Sequence, residues 1–170
     1  MGKKKSGFTL AKVFYLVAGV LGVVAICMIA LTSMNIKGSV FGLTGTTEYT
    51  GIQTTFGYKT DNAEYLMFSF MNLLPYIFVL VAALISVAKV FGKMDSGLMG
   101  FIALGLFVAA GVLFLLNTQF TVLSDNYASA IKLANTLTTT VTKSLGTGAI
   151  ISACCSFGGA VAILLPRFVK

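Results

Sequence analysis

Histidine and tryptophan are absent, proline occurs twice, and only five of the 170 residues are acidic. Each shortage removes a class of chemistry. Without histidine there is no side chain whose ordinary pKa suits acid–base work near neutrality, and no imidazole metal ligand. No glycine-rich phosphate loop stands in a strand–loop–helix context, and no nucleophile has a suitable base beside it. The expectation is a chain that is not an enzyme and needs no cofactor or metal. Three cysteines, Cys27, Cys154 and Cys155, all lie inside apolar runs, so the hydrophilic segments cannot form a disulfide. These cysteines read as small apolar packing residues. Glu48, Asp61 and Glu64 are separated carboxylates in one polar segment and read as solvated charge.

Charge of either sign is scarce: 10% of residues, against 57% hydrophobic and a mean hydropathy of +0.95. An average soluble domain has about 25% and about 45–50%. A water-soluble fold of this size leaves about 30% of its chain area exposed and cannot hide so much apolar surface. Lipid is therefore the expected solvent. The net charge of +7 does not point to nucleic acid, because the basic residues gather at the ends of apolar runs and form no single patch.

Four runs are long enough to cross a hydrocarbon core, which takes about 20 residues. They cover residues 13–32, 65–90, 98–116 and 146–165 of one membrane domain, 1–170. The first follows Lys3, Lys4, Lys5 and Lys12. It exceeds the usual 7–15-residue core of a signal peptide and is read as a retained span. Met1 to Ser6 fits the myristoylation pattern, but a helix close behind it anchors far better than one acyl chain. The second run carries Asn72 and Pro75; at 1.5 Å per residue it would be about 39 Å long, which predicts a tilt or a kink. The third contains twelve Leu, Ile, Phe or Val residues and no charge. A tight connection with Lys93 and Asp95 joins the second and third runs.

Lys3, Lys4, Lys5, Lys12, Lys89, Lys93, Arg167 and Lys170 fall on one side of this arrangement, and only Lys37, Lys59, Lys132 and Lys143 on the other. The positive-inside rule then places both termini in the cytoplasm and the two longer loops, 33–64 and 117–145, outside a plasma membrane. In the first outer loop, β-branched and aromatic residues between glycines predict short strands at 38–43, 48–53 and 54–59. In the second, Tyr127, Ile131, Ala134, Leu137, Val141 and Leu145 recur at three- and four-residue intervals. They predict a helix over 126–145 with one apolar face, capped by Ser124, Asp125 and Asn126. That face, with Tyr127, Ile131, Ala134 and Val141 as its centre, must bury against the first loop, the membrane surface or a neighbouring copy.

Within the spans, Gly148, Ser152, Ser156 and Ala160 repeat at intervals of four, and Ala18, Gly22 and Ala25 form a shorter stripe. Small residues in rows let helices approach closely. No span has an ionisable residue near its centre, the usual mark of proton relays and ion-coupled transport. Asn72 is the one strongly polar side chain well inside a run, a structural residue first and a pore or ligand contact second. The whole layout resembles that of claudins and the wider group of four-span proteins with inside termini, a strand-forming first outer loop, a tight inner turn and a shorter second outer loop. Gly42-Leu43 stands where claudins carry a tryptophan-flanked motif and a cysteine pair, so the resemblance implies architecture and no site residues. The expected fold is an all-α, four-helix transmembrane bundle with a small extracellular cap. The expected function is assembly through that cap, with the chain as homo-oligomer or subunit of a larger membrane complex in contact with membrane lipid. The alternative is an oligomeric channel or small-solute transporter.

Overall fold

A computed structural model of the protein describes residues 10–40, 43–92, 97–136 and 140–168. The N-terminal lysines and the myristoylation pattern, Lys93, Asp95, Leu137, Thr139 and Lys170 lie outside them. In chain order, helix α1 (Leu10–Cys27) tightens into a 3-10 turn (Met28–Ala30) and leads into strands β1 (Thr32–Val40) and β2 (Leu43–Thr50). A short helix α2 (Gly51–Phe56) and the hairpin strands β3 (Tyr58–Thr60) and β4 (Ala63–Leu66) precede α3 (Phe70–Val90) and α4 (Gly97–Leu115). Then come α5 (Asn117–Phe120), α6 (Asp125–Thr136), β5 (Thr140–Leu145) and α7 (Thr147–Phe168). The chain is mostly helical, and four segments, Leu10–Ala30, α3, α4 and α7, are long and apolar enough to cross a membrane.

These four helices form a closed ring in which α1 packs on α3 and α7, and α4 packs on the same two. The inner faces are built from small residues, with Ala18, Ala25, Ala82, Ala103, Ala110, Ser152 and Ser156 buried. Where glycine stands, the approach leaves no room for more. A Cβ on Gly22 would lie 2.8 Å from the Ala83 Cβ, and one on Gly111 2.8 Å from the Phe157 ring. Two phenylalanines of α4, Phe107 and Phe114, fill the centre, and Tyr76 meets Phe114 edge-on at 4.9 Å. Large aliphatic side chains point away instead: Val20, Val23, Leu84 and Val161 are each more than half exposed. Apart from a few large residues such as Phe107 and Phe114, the bundle thus places small residues inside and large aliphatic ones outside, unlike the usual soluble pattern.

The other described strands and helices sit at one end of the ring. Strand β1 rises directly from α1 and is the centre of a three-stranded antiparallel sheet, order β2-β1-β5; β5 returns directly into α7. Hence the sheet is clamped by the first and last long helices, and Gly146 lets the turn into α7 press on β1, its N–H bonding the Ser33 carbonyl at 2.8 Å. The hairpin β3-β4 joins the cap through a bridge between Leu66 and Leu123.

Three sequence expectations change. The outer-loop strands are longer and earlier than 38–43 and 48–53, and residues 51–56 form a helix, not a strand. Its cause is a capping box, in which Thr50 Oγ1 accepts from the Gln53 N–H and Gln53 Oε1 from the Thr50 N–H. The helix expected over 126–145 ends at Thr136, and Val141 lies on β5. The second long helix starts at Phe70, not at residue 65, because Ser69 Oγ caps it and Tyr65 and Leu66 belong to β4. At 21 residues α3 is about 31 Å long, so the excess length behind the expected tilt disappears.

The packing generates a paired prediction. Gly22→Val should destabilise the protein by about 1–3 kcal/mol through overpacking, whereas Gly105→Ala, whose Cβ would meet nothing within 4 Å, should be neutral or stabilise by up to about 1 kcal/mol. Thermal unfolding in detergent measures both, and equal effects would contradict the packing.

Candidate functional site

The cap owes its rigidity to side chains that alternate along β1. Met34 and Ile36 point to one face and are buried with Tyr49 of β2 and Leu66 of β4. Over this face lies α6, whose Tyr127 and Ile131 pack on the same cluster together with Val141 of β5. The start of α6 is fixed twice. Ser124 Oγ accepts from the Tyr127 N–H at 3.3 Å and donates to the Glu64 carbonyl, while the Ser124 N–H bonds the Tyr65 carbonyl at 3.0 Å. Four tyrosines continue the contact: Tyr49 with Tyr58, Tyr58 with Tyr65, and Tyr65 with Tyr127, at centroid distances of 6.1, 5.8 and 5.2 Å. The Tyr49 hydroxyl donates to that of Tyr127 at 3.2 Å. Burial first, and then this hydrogen bond, push the Tyr49 phenol well above its ordinary pKa. It stays neutral throughout the physiological range.

Farther from the helices the sheet and α6 part. In the paired row beyond Ile36, Gly38 of β1 faces Gly45 of β2 on one side and Val141 of β5 on the other. Two adjacent glycines remove the side chains that would fill the layer, and a Cβ on either would meet nothing within 4 Å. What remains is an open cleft of about 570 Å³, floored by the glycines with Ile36 and Thr47 and walled by Tyr127, Ile131 and Ala134. Its size falls among ligand pockets, which run from about 300 to 1,000 Å³. The lower end of α6 is tied across the gap by Asn135 Oδ1, which accepts from the Val141 N–H at 2.9 Å.

The structure brings Tyr127, Ile131, Ala134 and Val141 together, as walls of this cleft and not as one helical stripe. Their partner is the chain's own first-loop sheet, the first of the three surfaces considered for them. The glycine pair was missed as a feature of the sequence; its signal is register, since Gly38 and Gly45 stand symmetrically about the hairpin between Val40 and Leu43.

Asn72 lies elsewhere, at the junction of cap and bundle. It is 1% exposed, and its Nδ2 donates to the Thr54 carbonyl at 3.0 Å and to Thr121 Oγ1 at 2.9 Å. Thr121 Oγ1 in turn donates to the Asn117 carbonyl at 2.9 Å, and Ser69 Oγ to the Phe120 carbonyl at 2.6 Å. These bonds tie α2, α3 and α5 into one block. Ser152 Oγ donates to the Ala25 carbonyl at 3.0 Å and Ser156 Oγ to the Ser152 carbonyl at 2.8 Å, both fully buried. All three polar residues are buried. Of the small residues, Gly148 is buried where a Cβ would lie 3.0 Å from the Met28 and Thr32 carbonyls, Ala160 is buried, and Gly22, Ala18 and Ala25 line the inner side of α1. Among the described residues no three of Cys, Asp and Glu come together as metal ligands.

Replacing Asn72 by Leu should cost about 1–3 kcal/mol, the penalty of leaving buried partners unbonded, while Asn126→Ala at the exposed start of α6 should stay within about 0.5 kcal/mol. Denaturant unfolding in detergent measures the difference. Compared with known proteins, the chain matches no protein-family model, no curated protein and no solved structure.

Proposed function

We propose that the chain is a non-enzymatic integral membrane protein, crossing a plasma membrane four times with both termini in the cytoplasm, whose extracellular cap mediates self-assembly or association with a larger membrane complex. What supports the membrane placement is the inversion of the bundle: large aliphatic side chains outside, alanine, glycine and serine inside. What supports its orientation is the excess of lysine and arginine at the end opposite the cap.

One observation carries the assembly reading. The cap has its own packed cluster and an unfilled apolar cleft, and around it the edge strands β2 and β5 each have one side unpaired within the sheet. A cleft of this kind suits apolar side chains of a partner segment, and a free edge suits an added strand. The chemically plain interior of the bundle leaves the cap as the surface on which specificity resides.

Gly38→Val and Gly45→Val test it. Each side chain would enter open space, and valine favours strands over glycine, so stability should hold or rise by up to about 1 kcal/mol. Assembly should fall. The unmodified chain should have a mass above that of one copy by light scattering in mild detergent, and the double variant should lose it. A single-copy mass for the unmodified chain, or an assembly indifferent to both valines, would contradict the reading.

A further inference from the structure

Four helices converge on one point at the end of the bundle away from the cap. Tyr15 comes from α1, Lys89 from α3, Gly100 from the first turn of α4 and Arg167 from the last turn of α7. The position that a Cβ on Gly100 would take lies 3.1 Å from the Tyr15 hydroxyl, 3.3 Å from Lys89 Nζ and 3.7 Å from Arg167 Nη2. Two cations are thus held close together. They are oriented by aromatic rings: Lys89 Nζ lies 4.8 Å from the Tyr15 ring centroid and donates to its hydroxyl at 3.4 Å, and the Arg167 guanidinium carbon lies 3.4 Å from the centroid of Phe101. All four described carboxylates, Glu48, Asp61, Glu64 and Asp125, belong to the cap at the other end. The cluster lies at the first turn of α4, where Gly100 is buried and has no side chain to separate the helix from Tyr15 and Lys89.

We infer that this cluster is a binding site for a phosphate group. A guanidinium, an ammonium and a phenol beside the positive end of a helix are complementary to a tetrahedral oxyanion with several acceptor oxygens. An anion also relieves the repulsion between Lys89 and Arg167. The phosphate comes from an anionic phospholipid headgroup or from a free phosphate in solution. Basic pockets between membrane helices on the cytoplasmic side take lipid headgroups, so the lipid source rests on the proposed membrane orientation, whereas the site itself does not.

The test uses the full chain in neutral detergent, titrated separately with short-chain phosphatidylglycerol, short-chain phosphatidylcholine and inorganic phosphate. Native mass spectrometry reads the adducts and thermal unfolding the shift in Tm. Phosphatidylglycerol should bind and raise Tm while phosphatidylcholine does neither; equal binding of inorganic phosphate would keep the site and assign it to the free anion. Lys89→Gln and Arg167→Gln should each weaken binding at least tenfold. Gly100→Val, whose side chain would push aside the Tyr15 hydroxyl and Lys89 Nζ without changing charge, should do the same. Lys4→Gln, which removes one charge from the basic N-terminus, should change it less than twofold. Arg167→Lys, which keeps the charge but loses the planar fork, serves should Arg167→Gln fail to fold, and should lose several-fold. No binding of either phosphate compound would overturn the inference, as would a Lys4→Gln loss equal to that of Lys89→Gln. Binding seen only after Asp95→Asn would overturn it too, by showing that Asp95 already occupies the site.

Discussion

The close approach of helix backbones along alanine, glycine and serine is the constraint on which the molecule depends. In lipid, apolar side chains gain nothing by leaving their surroundings, so helices adhere through packing and short polar contacts between surfaces without large side chains. Gly22 against Ala83 and Gly111 against Phe157 are such contacts. Ser152, bonded to the Ala25 carbonyl, fastens α7 to α1 at the level where both helices near the cap. Because β1 follows α1 and β5 enters α7, fixing that helix pair also fixes β1 and β5 beside each other. The sheet is therefore an extension of the seam between α1 and α7.

A second consequence concerns where polarity is buried. The bundle interior is nearly free of groups that demand partners, and the strongly polar side chains concentrate at the junction, around Asn72, Thr54, Thr121 and Asn117. There Asn72 Nδ2 and Ser69 Oγ donate to the Thr54 and Phe120 carbonyls in the last turns of α2 and α5, whereas Asn72 Oδ1 and the Asn117 side-chain amide are buried without a hydrogen-bond partner among the described residues. Short helices at this level are thus useful: they supply acceptors that a continuous long helix would consume internally. The cap stands on a polar seat, its own apolar cluster of Met34, Ile36, Tyr49 and Leu66 separate from that of the bundle. Two small cores joined by a hydrogen-bonded layer make the cleft beside α6 a feature of the cap alone.

Much of the bundle was legible because a span is a statement about composition over 20 residues, which single substitutions hardly blur. The small-residue rows at Gly148 to Ala160 and at Ala18 to Ala25 were legible for the same reason of period. The cap was less so. Leu137, Val141 and Leu145 continue the helical spacing of Tyr127 and Ile131, yet five β-branched residues from Thr138 to Thr142 oppose a helix and favour a strand. Propensity prevailed over spacing because β1 offers β5 a paired edge, a partner that no local pattern reveals. The capping box of Thr50 and Gln53 was readable in principle and was hidden by the glycine and β-branched residues around it. The convergence of Tyr15, Lys89 and Arg167 was not readable at all, since it brings together three helices far apart in the chain.

The proposed placement sets the four long helices across a bilayer with the whole cap on one face. Single cysteines introduced at Thr46, at Thr142 and at Phe91, in a chain whose Cys27, Cys154 and Cys155 are replaced by alanine, measure this directly. In intact cells a membrane-impermeant maleimide should label the first two positions and reach Phe91→Cys only after the membrane is opened. Labelling of Thr46→Cys and Thr142→Cys from opposite sides, or of all three from outside, would contradict it.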